Sequence, residues 1–336
     1  MILIFTNEND LSTIEVAKRL NFYNKEFYII NPEENIFKFL YLNDEGIFFY
    51  NRELNKEINL LEATSCWWRR TGLGIKNFLE TEDSYENFIS KDHNLEKILY
   101  GKRSILNSEF IALKNYIFNS IYNKVKINLG HPELFGLNRL TTLDLAKKHG
   151  LKTPFFEVIS NTKHFNKSKI GKKFVTKAIE NGIYHLVEGK SYYTYTELQN
   201  INDFINTNID IFPSLVMNFI EKKYEIRSFY IEGHFYSMAI FSQSNKQTEV
   251  DFRKYSEEKP NRNEPFKLPT KIETKLKKLF KEIGLNTGSV DLIVNKQDDF
   301  IFLEINPVGQ YGMTSEPCNY NLDDIIAKYL INGRIS

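Results

Sequence analysis

Ser289–Gly309 reads SVDLIVNKQDDFIFLEINPVG, two short strand-like runs joined by the polar turn Lys296-Gln297-Asp298-Asp299, the pattern of a β-hairpin. Folded symmetrically about that turn, Asp291 stands opposite Glu304, and Asn306 lies two residues further along. Side chains two apart on a strand share a face, so Asp291, Glu304 and Asn306 converge on one side. Val290, Leu292 and Val294 then point the other way with Ile301, Leu303 and Ile305, a consistent apolar set. Two carboxylates directly across a ladder repel, so something cationic is expected between them. Two carboxylates beside an amide oxygen suit Mg²⁺, which binds through one or two carboxylates and the phosphates of a substrate. A solvated acidic edge is the competing reading of the same residues.

Upstream, Thr270-Lys271-Ile272-Glu273 is a capping box that opens a helix. Ile272, Leu276, Leu279 and Ile283 face inward, Lys271, Lys275, Lys277, Lys278 and Lys281 face outward, and Gly284 ends it. That lysine run reads as a solvated face in preference to a nucleic-acid site. Residues 242–255 and 256–269 are long and polar, of the length that serves function or moves. Before them Tyr224–Ile231 and His234–Ile240 pair around Glu232-Gly233, and Pro213–Ile220 is a buried-type strand. A helix is expected through Thr196–Asn206. Asn181-Gly182 and Glu188-Gly189 are turns around a strand at Ile183–Val187. Lys173–Ile179 is another strand and carries Lys177, Pro154 introduces Phe155–Ile159, and Leu137–Gly150 is an amphipathic helix stopped by Gly150. A short helix, Asp323–Leu330, ends the chain.

The N-terminal part starts with a strand over residues 1–6, and Ser12-Thr13-Ile14-Glu15 is a capping box for a helix running to about Leu20. Phe27–Ile30 is a strand, Phe37–Leu42 and Ile47–Tyr50 form a hairpin about Asn43-Asp44-Glu45-Gly46, and the order of elements makes a small α/β unit. Ser65-Cys66-Trp67-Trp68-Arg69-Arg70 places both tryptophans beside two arginines. Such arginines can bind carboxylate or phosphate through paired donors; equally, a core tryptophan pair can carry arginines stacked over it or facing water. Glu80–Tyr122 is helical in character, broken around Asp92-His93-Asn94 and Gly101, with the stripe Ile105, Phe110, Leu113, Ile117 and Ile121 at core spacing.

At 336 residues the chain is long enough for two or three units. Its net charge of +1 gives no strong field toward nucleic acid or membrane, and no apolar run reaches transmembrane length. Met1–Thr6 lacks a basic region and a long apolar segment, so it reads as a strand and not a signal peptide. Two cysteines, Cys66 and Cys318, give no disulfide framework and fit a cytoplasmic protein.

Separated pieces now fall into one order: Asn138-Arg139 through Pro154, Val175-Thr176-Lys177, Asn218–Arg227, Val250-Asp251-Phe252-Arg253, Asp291, and Glu304-Ile305-Asn306. Over about the last two thirds the chain resembles an ATP-grasp ligase. The resemblance implies an N-terminal α/β (pre-ATP-grasp) domain over 1–125, then a two-lobed α+β ATP-grasp fold with a central lobe over 126–212 and a C-terminal lobe over 213–336. It implies ATP and Mg²⁺. Lys177 and Arg139 reach phosphates, the Asn218-Phe219-Ile220 backbone reads the adenine edge, and Glu225 contacts the ribose. Arg227 and Arg253 face the γ-phosphate and the phosphorylated intermediate, and Asp291, Glu304 and Asn306 hold magnesium. Two departures stand out: relatives usually have lysine at the position of Arg139, and the segment Glu180–Gly189 is thin in glycine for a phosphate-covering loop.

Trp67-Trp68-Arg69-Arg70 resembles an element of the graspetide synthetases, the microviridin-type peptide macrocyclases. The runs Met238–Gln243, Thr248–Tyr255 and Asn261–Pro269 look most like the grasp-with-spasm maturase branch. This implies an ATP-dependent carboxylate ligase that works through an acyl phosphate and closes ω-ester or ω-amide rings in a ribosomal precursor peptide with leader and core. It further implies a radical-SAM enzyme in the same pathway and admits a homodimer, with neither nucleic acid nor membrane as partner. The alternative is a ligase that adds an amino acid to a peptide or small acid, as glutamate ligases and glutathione synthetases do. A nucleotide-binding module without turnover is a third reading.

Overall fold

A computed structural model describes residues 1–78, 96–180, 184–187, 190–193, 197–203, 207–242 and 261–335. They fall into two compact units, Met1–Phe135 with Asn321–Ser336, and Gly136–Tyr320. The last segment thus belongs with the first unit, whereas the sequence reading carries the final lobe through residue 336.

The first unit contains β1 (Ile2–Phe5), α1 (Leu11–Phe22), β2 (Phe27–Ile30), β3 (Phe37–Asn43), β4 (Gly46–Asn51), β5 (Lys56–Asn59), β6 (Ser65–Trp68), α2 (Glu96–Lys124) and β7 (Ile127–Leu129). Strands β2-β1-β6-β7 form a sheet in that order, every pair parallel. Parallel sheets are covered on both faces, and all four residues of β1 and of β6 are buried. Strands β3-β4-β5 make a separate antiparallel sheet.

The core of this unit joins Leu3, Phe5, Ile30, Phe49, Cys66 and Trp68 to Ile117 and Ile121 of α2. Phe5 stacks on Trp68 with ring centroids 4.8 Å apart. Helix α2 runs through Gly101 without a break, while Asp92-His93-Asn94 lie outside the described residues. Helix α1 is capped by Asp10, whose carboxylate accepts from the Ser12 and Thr13 N–H groups, and not by Ser12 as its capping-box pattern predicts. Asp10 is held in place by two arginines described below, and a fixed carboxylate caps a helix better than a mobile hydroxyl.

The second unit contains α3 (Arg139–Lys148), β8 (Phe156–Asn161), α4 (Lys167–Ile170), β9 (Lys173–Lys177), β10 (Tyr184–Val187), β11 (Lys190–Tyr193), β12 (Glu197–Asn200), β13 (Asp210–Asn218), β14 (Lys222–Ile231), β15 (His234–Phe241), β16 (Arg262–Phe266), α5 (Thr270–Ile283), β17 (Thr287–Asn295), β18 (Phe300–Asn306) and α6 (Gly312–Cys318). The chain then returns to the first unit with α7 (Leu322–Asn332), which packs against α1 through Arg19–Asp323 and Tyr23–Asp324 contacts.

Two antiparallel sheets form this unit, β12-β9-β13-β8 and β16-β15-β14-β17-β18, with β10-β11 a separate hairpin. The helix expected through Thr196–Asn206 is not formed among the described residues. Glu197–Asn200 is instead a strand on the edge of β9, with Leu198 opposite Val175, followed by a single 3-10 turn at Ile201–Asp203. The open edge of β9 offers every backbone group a partner, and this tertiary pairing overrides a local helical preference. Helix α5 buries Leu276, Leu279 and Phe280, the last stacked on Tyr230 at 4.1 Å. It covers the sheet face opposite the one that carries Arg227, because Tyr230 and Arg227 differ by an odd number of residues on β14.

The hairpin of β17 and β18 pairs Asp291 with Glu304, Val290 with Ile305 and Ser289 with Asn306. Beyond Asp291 the register shifts, and Leu292 is opposite Phe302. Leu303 is therefore the extra residue of a β-bulge, and Phe302, fully buried, takes the inward place that strict alternation assigns to Leu303. Among the described residues no helix is long and apolar enough to cross a membrane.

Candidate active site

On the five-stranded sheet Arg227 stands opposite Asp291, which stands opposite Glu304, so the three form one row across β14, β17 and β18. Asn306 lies one row along the same face, opposite Ser289. Arg227 is buried, and its Nη1 lies 3.1 Å from both carboxylate oxygens of Asp291. Its Nε–H is also buried and has no partner among the described residues.

Glu304 draws two further cations from distant parts of the unit. Arg139, the first residue of α3, donates from Nε at 3.1 Å and from Nη2 at 2.5 Å, and Lys177, the last residue of β9, donates from Nζ at 2.7 Å. All three bonds end on the same oxygen, Oε2. Burial pushes the Glu304 carboxyl up, but the charges and hydrogen bonds of Lys177 and Arg139 outweigh it and hold the group at about 2. The Arg139 guanidinium reaches further, donating from Nη1 to the Glu180 carbonyl at 3.0 Å. Arginine can serve the carboxylate and the carbonyl together because its donors diverge; a lysine is a point charge.

The three residues expected at the adenine edge end β13 and begin the connection to β14. Asn218 is committed to the fold: its N–H donates to the Phe155 carbonyl and its Oδ1 accepts from the Phe155 N–H at 2.7 Å. The Phe219 N–H donates to the Lys173 carbonyl. Of the three, Ile220 is the residue whose N–H carries none of these bonds.

Glu225 is buried and paired with Lys222, and the Ser242 hydroxyl donates to it at 3.2 Å. Sequence reasoning missed Lys222, since residues 222 and 225 of a regular strand face opposite ways. A bulge between Lys222 and Tyr224 swings Lys222 onto the face of Glu225. Arg253 lies outside the described residues, as do Asp251 and the turn at Asn181-Gly182.

In the first unit, the tryptophan–arginine run reads as an internal ion pair set on a core. Trp68 is buried against Phe5, and the Arg69 guanidinium lies 5.5 Å from the Trp67 ring. Arg69 Nε and Arg70 Nε both donate to Asp10 Oδ2, at 3.0 and 2.9 Å. Burial raises the Asp10 carboxyl, but the two arginines overcome it and hold the group below its ordinary value.

The donors on the second unit fit magnesium and a phosphate chain. Among the described residues no three His, Cys, Asp or Glu side chains come together. A hard cation here relies on Asp291, Glu304, Asn306 and oxygens that arrive with a ligand, the way Mg²⁺ is commonly held beside nucleotides. Lys177, Arg139 and the Arg227 Nε–H, unpaired among the described residues, supply donors for those oxygens.

No family model matches the chain, and no curated protein does. Solved structures resemble it along its length. A RiPP-associated ATP-grasp ligase of Chryseobacterium gregarium, in complex with ADP and a leader and core peptide, superposes with a TM-score of 0.73 at 21% identity, covering 99% of this chain and 97% of that one. The macrocyclase MdnC of Microcystis aeruginosa, bound with precursor peptide MdnA, gives 0.72 at 21% identity over 98% and 99%. The ATP-grasp ligase PsnB, complexed with minimal precursor, Mg and ADP, gives 0.69 at 14% over 98% and 96%. At such identities the likeness is one of fold, and it agrees with the two antiparallel sheets of the second unit: the chain has the two-lobed ATP-grasp fold.

Proposed function

We propose that this protein is an ATP-dependent, ADP-forming carboxylate ligase that closes ω-ester or ω-amide rings between side chains of a ribosomal precursor peptide. The observation that carries the reading is the Arg227–Asp291–Glu304 row with Lys177 and Arg139 on Glu304, on a fold shared with ligases solved beside precursor peptides. Lys177 and Arg139 hold the phosphate chain, Arg227 and Arg253 steady the charge on the transferred phosphoryl group, and Glu225 takes the ribose. The adenine edge lies along Asn218, Phe219 and Ile220, with Ile220 offering an N–H that carries no bond to the described backbone. Asp291, Glu304 and Asn306 would hold Mg²⁺, which would supply neutralising charge beside the phosphates.

In the first step a substrate carboxylate oxygen bonds to the γ-phosphorus and the β,γ-bridging oxygen leaves with ADP. In the second, a hydroxyl or amine attacks the acyl carbon, loses its proton, and phosphate departs with the electrons of the C–O bond. The protein contributes alignment and fixed charge. The reading also puts the enzyme in the cytoplasm with its ribosomal substrate, and counts a radical-SAM enzyme and a second copy of the chain among its partners.

The test mixes protein, ATP, Mg²⁺ and a precursor peptide rich in acidic residues and Ser, Thr or Lys, then follows peptide mass and ADP. Loss of one water per ring with matching ADP is expected. A mass gain equal to an amino acid would show the amino-acid-adding ligase instead.

A further inference from the structure

The carboxylates proposed to hold the metal are already committed. Glu304 accepts three charged donor bonds at Oε2, two from Arg139 and one from Lys177. Asp291 shares both oxygens with Arg227. Two negative charges therefore face three positive ones in this described group, and a bare divalent cation would add to a positive excess. Oε2, surrounded by three N–H donors, has no lone pair directed at a metal, and with Oε1 alone Glu304 is reduced to a one-oxygen ligand beside a net positive group.

A nucleoside triphosphate changes both conditions. Its oxygens compete for Lys177 and Arg139, cations that bind phosphate as readily as carboxylate. Its negative charge reverses the sign of the group, and its phosphates complete a coordination shell that two carboxylates and an amide leave short. Lys177 and Arg139 reach Glu304 from the end of β9 and the start of α3, respectively, each by a long side chain that can turn toward a phosphate while its backbone stays in place.

Resting on the nucleotide reading above, we infer that metal binding here is conditional on nucleotide: Arg139 and Lys177 occupy Glu304 until triphosphate oxygens draw them off, and the free protein has no divalent-cation site. The pair acts as an internal stand-in for the metal. It neutralises a part-buried carboxylate that would otherwise be costly to keep charged.

The experiment titrates Mn²⁺ into the nucleotide-free protein and reads free ion by electron paramagnetic resonance. Wild type is expected to bind none below about 1 mM, while Arg139→Met and Lys177→Met each tighten binding by about tenfold or more as a competing positive charge is removed. Adding Glu304→Gln to either variant should abolish the gain. Stoichiometric Mn²⁺ binding by free wild type at about 50 μM, a range ordinary for open carboxylate sites, would overturn the inference, as would folded variants with unchanged affinity. Circular dichroism melting establishes that each variant folds, and the wild-type titration stands without them. Nucleotide binding is measured separately by calorimetry with β,γ-imido-ATP; failure there overturns the ligase reading itself, whereas metal binding without nucleotide overturns only its conditional character.

Discussion

Arg227 and Asp291 are direct cross-strand partners, and one guanidinium nitrogen, Nη1, lies 3.1 Å from both carboxylate oxygens. Side-chain exposures of 6% and 16% make this a nearly dry pair. Removing one partner strands the other, so Asp291→Ala should lose about 3–5 kcal/mol in urea unfolding. The Arg227→Met/Asp291→Leu double variant should regain most of that stability yet form no ADP. A double variant that turns over ATP would deny both residues a role in the reaction.

Acid should weaken the second unit through Glu304. Its carboxyl is held at about 2, below the ordinary 4.5, by Lys177 and Arg139 against the upward push of burial. A depressed pKa gives stability that is present above the ordinary carboxylate range and fades as pH falls. The contribution is about 3 kcal/mol, lost between about pH 5 and pH 2. Glu304→Gln should flatten that limb of the stability–pH curve, measured by chemical denaturation at a series of pH values.

Asp10 serves two structures at once, capping α1 and neutralising Arg69 and Arg70. Asp10→Ala removes the cap, about 1 kcal/mol, and leaves the buried Arg69 without this carboxylate, so a total loss of about 3–5 kcal/mol is expected. Asp10→Asn keeps a capping oxygen and should fall between the variant and wild type in thermal melts.

Gly309 has φ +60, in the left-handed region, and a Cβ there would sit 3.0 Å from Phe229 Cε2 and 3.1 Å from Gly288 Cα. Gly309→Ala therefore combines backbone strain with overpacking, about 2 kcal/mol or more. The Gly309 N–H also donates to the Asn306 carbonyl, so the same variant should weaken nucleotide binding in the presence of Mg²⁺, read by calorimetry.

Much of this site was legible in one stretch of residues. Asp291 faces Glu304 because strand side chains alternate with period two and the turn at Lys296–Asp299 sets the register, and both are properties of adjacent residues. The same local chemistry marked Gly284 and Gly150 as helix stops, whereas Lys177, read as lying inside a strand, gained its role only from the family resemblance. Local reading failed where a bulge reverses the alternation, as at Leu303 and at Lys222, and where a free sheet edge claimed Glu197–Asn200 from a helix. The unassigned half of the tryptophan–arginine run was likewise decided by Asp10, some sixty residues away in the chain.

The amino-acid sequence by itself determined the hairpin, its two opposed carboxylates and the need for positive charge between or beside them. Tertiary structure alone decided where that charge comes from: Arg139 and Lys177 lie 165 and 127 residues from Glu304, and Arg227 lies 64 from Asp291. The physical reason is one of range. Alternation, turns and caps follow from neighbouring residues, whereas the cations that neutralise a carboxylate are set by the order of strands in a sheet and the packing of a helix against it.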